Sequence, residues 1–178
     1  MLKLNAQELR TTEPIPEQIK AIKKQPIYIV VDNVLDTYNV GSIFRLADAV
    51  AAEKVILCGE TLTPPNPRIK KASISTWKWV EWEYAKTAKE AVESVKREAK
   101  SIKIVVVEQD VRSQPFNAVK YDLPLALVIG NETYGVSKEV LDMADIIVEL
   151  PMFGVNKSLN VMVSCGIVLY KIVASTLG

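Results

Sequence analysis

The sequence contains no histidine in its 178 residues. That absence removes every Ser-His-Asp or Cys-His nucleophile system, zinc sites with histidine ligands, and histidine as a general base. Cysteine is nearly as scarce. Cys58 and Cys165 are the only two, each inside an apolar run, and they read as buried, reduced thiols rather than a disulfide or metal pair. The seven glycines form neither G-x-G-x-x-G nor G-x-x-x-x-G-K, which disfavours nicotinamide, flavin and ATP phosphate binding through the usual glycine loops. A charge bias is missing too: Lys+Arg of 22 against Asp+Glu of 21 leaves +1, which excludes a uniformly basic coat while leaving local patches open. No apolar run reaches membrane-spanning length, since Ser158, Asn160 and Ser164 break the C-terminal one. The start, MLKLNAQELRTTEP, has no apolar signal core, so a soluble cytoplasmic protein is expected.

What is present is enough apolar material, 49% of residues with 24% charged, for one well-filled core and one domain of ordinary size. Residues 1–26 are polar, with Ile15, Ile19 and Ile22 spaced as one face of a short helix between Pro16 and Pro26; they read as an N-terminal arm. Residues 27–178 then alternate. Strands are expected at Tyr28–Val31, Lys54–Cys58, Trp79–Glu83, Ile102–Val107, Leu125–Ile129 and Ile146–Leu150. Helices are expected over 40–50, Ala85–Ala99, Ser137–Met143 and Ser158–Ala174. The stretch 60–71 is too dense in proline for an element, and 108–124 reads as a weakly structured connection. Strands that are continuous apolar runs between helices predict an α/β fold: a mostly parallel sheet with helices on both faces.

Three segments and one loop stand out. DNVLDTYNVGSIFR places Asn39 and Arg45 just past a strand's carboxyl end, where open α/β sheets hold ligands; Asn39 equally suits a helix N-cap and Arg45 a surface position. LVIGNETYGVSKEVL sets Gly130, Glu132 and Gly135 directly after a strand. ELPMFGVNKSLN carries Ser158 and Asn160 into a helix that is apolar nearly all round, with Ser158 also a good N-cap. A chain this small has difficulty covering every side of that helix, so it points to a homodimer interface. In the loop TPPNPRIKKASISTWKWVEWE, Arg68, Lys70, Lys71 and Lys78 lie near all three tryptophans, which suits either phosphate contact with base stacking or a loop packed into the core.

At these segments the chain resembles the SPOUT-type RNA methyltransferases of the SpoU/TrmH-like branch, which methylate ribose 2′-hydroxyls of tRNA and rRNA. Asn39-Val-Gly-Ser-Ile-Phe-Arg45 matches the first motif, Leu127-Val-Ile-Gly-Asn-Glu-Thr-Tyr-Gly135 the second, and Leu150-Pro-Met-Phe-Gly-Val-Asn-Lys-Ser-Leu-Asn160 the third. The three occur in order, and the likeness spans about residues 26–175. The resemblance implies a single catalytic domain over 27–178 with a C-terminal trefoil knot at about 125–178, which ordinary rules of chain connection would not suggest. It further implies S-adenosylmethionine as cofactor, RNA as partner, a homodimer, and neither a metal nor a membrane. Backbone groups near Glu108, Ile129, Gly130, Leu150, Met152, Ser158 and Leu159 would hold the cofactor. Arg45 would act at the ribose or its phosphate, Asn39 would orient Arg45 or the ribose, and Glu132 would anchor Arg45 or place substrate. Ser158 and Asn160 would order the knot loop, and Arg68, Lys70 and Lys71 would contact RNA. Similar proteins often carry a histidine where this chain has Asn66. A non-catalytic RNA-binding homologue and an RNA base methyltransferase are the alternatives.

Overall fold

The computed structural model describes residues 2–176; residues 177 and 178, the end of the expected catalytic domain, lie outside them. Two short helices, α1 (Ala6–Thr11) and α2 (Pro16–Lys20), form the start and bury no residue. The first was not expected from spacing, because a capping box sets it: Asn5 accepts from the amide of Glu8 while Glu8 accepts from that of Asn5. The arm meets the body where Lys78 pairs with Glu13.

The body alternates β1 (Gln25–Asp32), α3 (Thr37–Ala49), β2 (Ala52–Cys58), α4 (Pro67–Ser73), β3 (Trp82–Ala85), α5 (Ala88–Glu98) and β4 (Lys103–Val107). It continues with β5 (Gln114–Pro115), β6 (Leu125–Ile129), α6 (Lys138–Leu141), β7 (Ile146–Glu149) and α7 (Val161–Thr176). The strands make one sheet in the order β3-β2-β1-β6-β4-β7-β5, and every pairing is parallel. Alternation along each strand builds two cores. Ile27, Ile29, Val31, Leu125, Leu127 and Ile129 face α3 and α7, while Tyr28, Val30, Ala126 and Val128 face α5 and α6. Burial on both faces is why these strands carry no polar alternation.

Two expectations are corrected. The stretch 60–71 is not all loop: Asn66 accepts from the amides of Arg68 and Ile69, and Pro67 opens α4 at the first helical position, where a missing N–H does no harm. The strand expected at Trp79–Glu83 begins instead at Trp82, because Thr76–Lys78 forms a 3₁₀ turn.

Helix α7 resolves its own two faces. Cys165, Val168, Leu169 and Ile172 pack into the core, whereas Val163, Ile167 and Tyr170 are 38%, 37% and 53% exposed. The three tryptophans are packing residues here: Trp79 is buried, and Trp77 and Trp82 lie against the core, with Trp82 edge-on to Phe44. Burial pushes both cysteine thiols up to about 12, so both stay protonated. Among the described residues, no helix is long and apolar enough to cross a membrane.

Candidate active site

The loops that follow β4, β6 and β7 converge at the carboxyl edge of the sheet and enclose a cavity of about 470 Å³. Glu108, Ile129, Gly130, Leu150, Met152, Ser158 and Leu159 all line it. Its charged lining is of one sign: Glu108, Glu132 and Glu149 contribute carboxylates, and no lysine or arginine is among the lining residues. Such a wall favours a ligand that carries positive charge. Between β7 and α7, the backbone of residues 151–156 enters no hydrogen bond among the described residues. Its amides and carbonyls are therefore available to a ligand, beside the apolar side chains of Leu150, Met152 and Leu159.

The walls are fastened by side chains that bond backbone amides of other loops. Glu108 accepts from Val136 N at 2.9 Å and from Gln109 N at 2.8 Å, which joins the loop after β4 to the loop after β6. Asp32, 1% exposed at the end of β1, accepts from Ser137 N at 2.8 Å and from Asn33 Nδ2 at 2.8 Å. Asn131 donates from Nδ2 to the Asn33 carbonyl at 2.7 Å, and Gln109 donates to the Lys157 carbonyl. Buried carboxylates are tolerated where donors satisfy them, and here the donors belong to the loops that must be held. Sequence reasoning missed Asp32, Asn131 and Gln109. The one usable signal was Asp32 itself, a carboxylate ending an otherwise apolar strand.

Asn39, Glu132 and Asn160 meet in one chain of hydrogen bonds. Asn39 Nδ2 donates to Glu132 Oε1 at 3.0 Å, and Asn160 Nδ2 donates to Asn39 Oδ1 at 3.0 Å. Glu132 also accepts from the amides of Leu35 and Asp36 at 3.1 Å each, and Asn160 Oδ1 accepts from Met162 N at 2.9 Å. Desolvation alone would raise the Glu132 carboxyl above its ordinary value, but the Asn39 side chain and the converging amides outweigh it and hold the pKa low. A depressed carboxyl stabilises the fold above the unfolded-state pKa and loses that contribution as pH falls through the folded one. Glu132→Gln should therefore lower Tm at about pH 7, and its gap to wild type should close as pH drops below the ordinary carboxylate range. Thermal melts across that range check it; a gap undiminished in acid would mean lost packing instead.

Several roles expected for these residues change. Asn39 does not cap α3: Asp36 does, accepting from Tyr38 N at 2.8 Å, and Asn39 is 4% exposed inside the helix. Ser158 does not cap α7, whose first amides bond Asn160; Ser158 instead donates its amide to Asn156 at 3.2 Å. Neither Asn39 nor Glu132 bonds Arg45. The Arg45 side chain is exposed, makes no hydrogen bond or ion pair among the described residues, and does not line the cavity. The reason is helical: Arg45 follows Asn39 by six positions, about 120° around the helix from the face that meets Glu132. It lies instead four positions past Gly41, where α4 crosses so closely that a Cβ would stand 2.5 Å from Ala72 Cβ. Arg68, Lys70 and Lys71 are exposed on α4. Asn66, at the position where similar proteins often have histidine, is occupied in capping α4.

A family model described as the SpoU rRNA Methylase family matches residues 26–170. The chain is 30% identical to a Bacillus subtilis TrmH-family protein over 149 residues, covering 84% of this chain and 59% of that protein. It is 28% identical over 157 residues to the tRNA (guanosine(18)-2′-O)-methyltransferase of Thermus thermophilus, covering 87% of this chain and 78% of the enzyme. Among solved structures, an AdoMet-bound rRNA methyltransferase from Sinorhizobium meliloti superposes with a TM-score of 0.78 at 27% identity, over 96% of this chain and 61% of that one.

Proposed function

We infer the reaction from one premise: the chain belongs to the SpoU rRNA methylase family. It transfers a methyl group from S-adenosylmethionine to a ribose 2′-hydroxyl of tRNA or rRNA. The observation that carries this reading is the bonding of Asn39, Glu132 and Asn160, one from each motif, at the rim of an acidic cavity with free backbone groups. That lining fits the cofactor, whose sulfonium is cationic and whose adenine offers edges for amides and carbonyls. S-adenosylmethionine supplies, when bound, an electrophilic methyl group that an in-line oxygen can take.

The chain's own residues supply position and charge. Backbone groups at Ile129, Gly130, Leu150, Met152 and Leu159 hold the cofactor, and Glu108 and Ser158 shape its wall. The network of Asn39, Glu132 and Asn160 fixes the first turn of α3 against the cavity. Arg45, outside that cavity, holds the phosphate next to the target ribose. A guanidinium stays protonated, so it does not itself accept the hydroxyl proton; it places a phosphate oxygen to do so. Arg68, Lys70 and Lys71 extend the contact along the RNA backbone. Catalysis is assigned to residues 27–178 and calls on no metal, with 1–26 as an arm, and the two free buried thiols fit a reducing cytoplasm.

A trefoil knot at about 125–178 and a homodimer complete the reading. Insertion of β6 between β1 and β4 and the Gln109 bond to Lys157 support the first. The outward stripe Val163, Ile167 and Tyr170 on α7 supports the second. Incubating the protein with bulk tRNA or rRNA and methyl-labelled cofactor, followed by nucleoside mass spectrometry, tests the reaction. Label on ribose is expected; label on a base, or none with RNA still bound, would establish one of the two alternatives. In the same preparation Ile167→Glu should turn a sedimenting dimer into monomer, and a wild-type monomer of 19.8 kDa would end the dimer proposal.

A further inference from the structure

Tyr134 is 88% exposed, yet it sits on a turn fastened by hydrogen bonds. Asn131 Oδ1 accepts from Tyr134 N at 2.9 Å and from Thr133 N at 2.8 Å, and Asn131 and Gly135 exchange both backbone hydrogen bonds. Thr133 and Gly135, on either side of it, line the cavity; Tyr134 does not. Across the seam closed by Glu132 stands a second exposed ring, Tyr38, 50% exposed, in the first turn of α3. Its amide is fixed by the Asp36 cap. Neither phenol has a hydrogen-bond partner among the described residues.

Helical geometry ties Tyr38 to Arg45. Seven residues separate them, two turns of α-helix, so they share one stripe of α3 about 10 Å apart along its axis. An aromatic ring beside the seam that Glu132 closes and an unpaired guanidinium on the same stripe match the two parts of a nucleotide, base and phosphate. The outward apolar stripe that supports the dimer, Val163, Ile167 and Tyr170, lies on α7.

We propose that Tyr134 and Tyr38 form a stacking platform for unpaired bases of the RNA substrate at or beside the methylated nucleotide. The inference rests on the methyltransferase reading and adds the recognition of splayed, single-stranded bases. Rings held on fixed backbone stack on a base while losing little chain freedom, and every base has a face to offer, so the platform contributes affinity rather than sequence choice.

The test uses fluorescence anisotropy with labelled oligoadenylate of about twelve nucleotides and with bulk tRNA. Tyr134→Ala and Tyr38→Ala should each weaken oligoadenylate binding roughly tenfold, while Tyr→Phe at either position stays near wild type. The salt dependence should keep its slope, because no phosphate contact is removed, and affinity for S-adenosylmethionine should not move. Arg68→Ala, by contrast, should flatten that slope. Wild-type affinity in both alanine variants overturns the platform, as does equal loss in Phe and Ala, which would assign the hydroxyl rather than the ring. A sedimentation change in the alanine variants would make the rings a contact between copies and likewise overturn it. If wild type methylates ribose while the alanine variants bind normally, only the platform falls; if wild type binds neither RNA, the methyltransferase reading falls with it.

Discussion

Replacing Arg45 with alanine should lower the methylation rate by about 10²-fold or more, some 2.7 kcal/mol in the barrier, and leave affinity for S-adenosylmethionine unchanged. The separation of effects follows from position. Arg45 is exposed on α3, bonds none of Asn39, Glu132 or Asn160, and is absent from the lining of the cavity. Its loss should leave the walls as they were and, on the proposed reading, remove only the charge that holds the RNA phosphate. Arg45→Lys keeps the charge but not the planar two-pronged geometry, and falls nearly as far. Single-turnover methylation beside a cofactor titration reads both quantities. Cofactor binding that falls in step with rate would move Arg45 into the cofactor wall, and full activity in Arg45→Ala would remove it from the chemistry.

Asn39→Ala behaves differently. The family resemblance implied an orienting role toward Arg45 or the ribose, but the structure makes Asn39 the middle of a three-residue chain. Alanine there leaves Glu132 without its side-chain donor and Asn160 Nδ2 without its acceptor. Rate and cofactor affinity should therefore fall together, which is the contrast to Arg45.

The sheet could be read from sequence because its strands are buried on both faces. Five or more apolar residues in a row, as in IYIVV or LALVI, leave little alternative to a parallel sheet with helices on each side. Elements set by a single cap were not readable in that way. Helix α4 hid behind its prolines and α1 behind a polar surface, though Asn66 and Asn5 announce both once their bonds are seen. The site was readable as three segments but not as a mechanism. Asn39 and Glu132 are 93 positions apart and Asn39 and Asn160 are 121 apart, so no local pattern shows that they touch. The same distance concealed Asp32, whose partner Ser137 lies 105 positions away. Composition assigns such a carboxylate to a strand end; only the crossing of loops assigns it a duty.

Gly130 carries the largest structural effect. From sequence, a side chain here would be expected to intrude on the cofactor, but the neighbour it would strike is the protein. A Cβ at Gly130 would stand 2.3 Å from the Gly135 carbonyl carbon, 2.4 Å from Val136 N and 2.5 Å from Gly135 O. These are backbone atoms and cannot rotate aside. They are also fastened: Asn131 N and O pair with Gly135 at 3.0 and 2.9 Å, Val136 N bonds Glu108, and Ser137 N bonds Asp32. Even Gly130→Ala must push the loop after β6 away from the sheet and break bonds that hold three walls of the cavity. Overpacking of this kind costs about 1–3 kcal/mol, and the displaced loop should lower affinity for S-adenosylmethionine by roughly 10²-fold. Gly154→Ala is the matched control, because a Cβ there meets nothing within 4 Å; its Tm and cofactor affinity should stay at wild type. Thermal melts and calorimetric titration of the two variants decide the point. A Gly130→Ala protein that melts and binds like wild type would mean that the crossing is not tight in solution, and the loop fastenings would lose their claim to form the site.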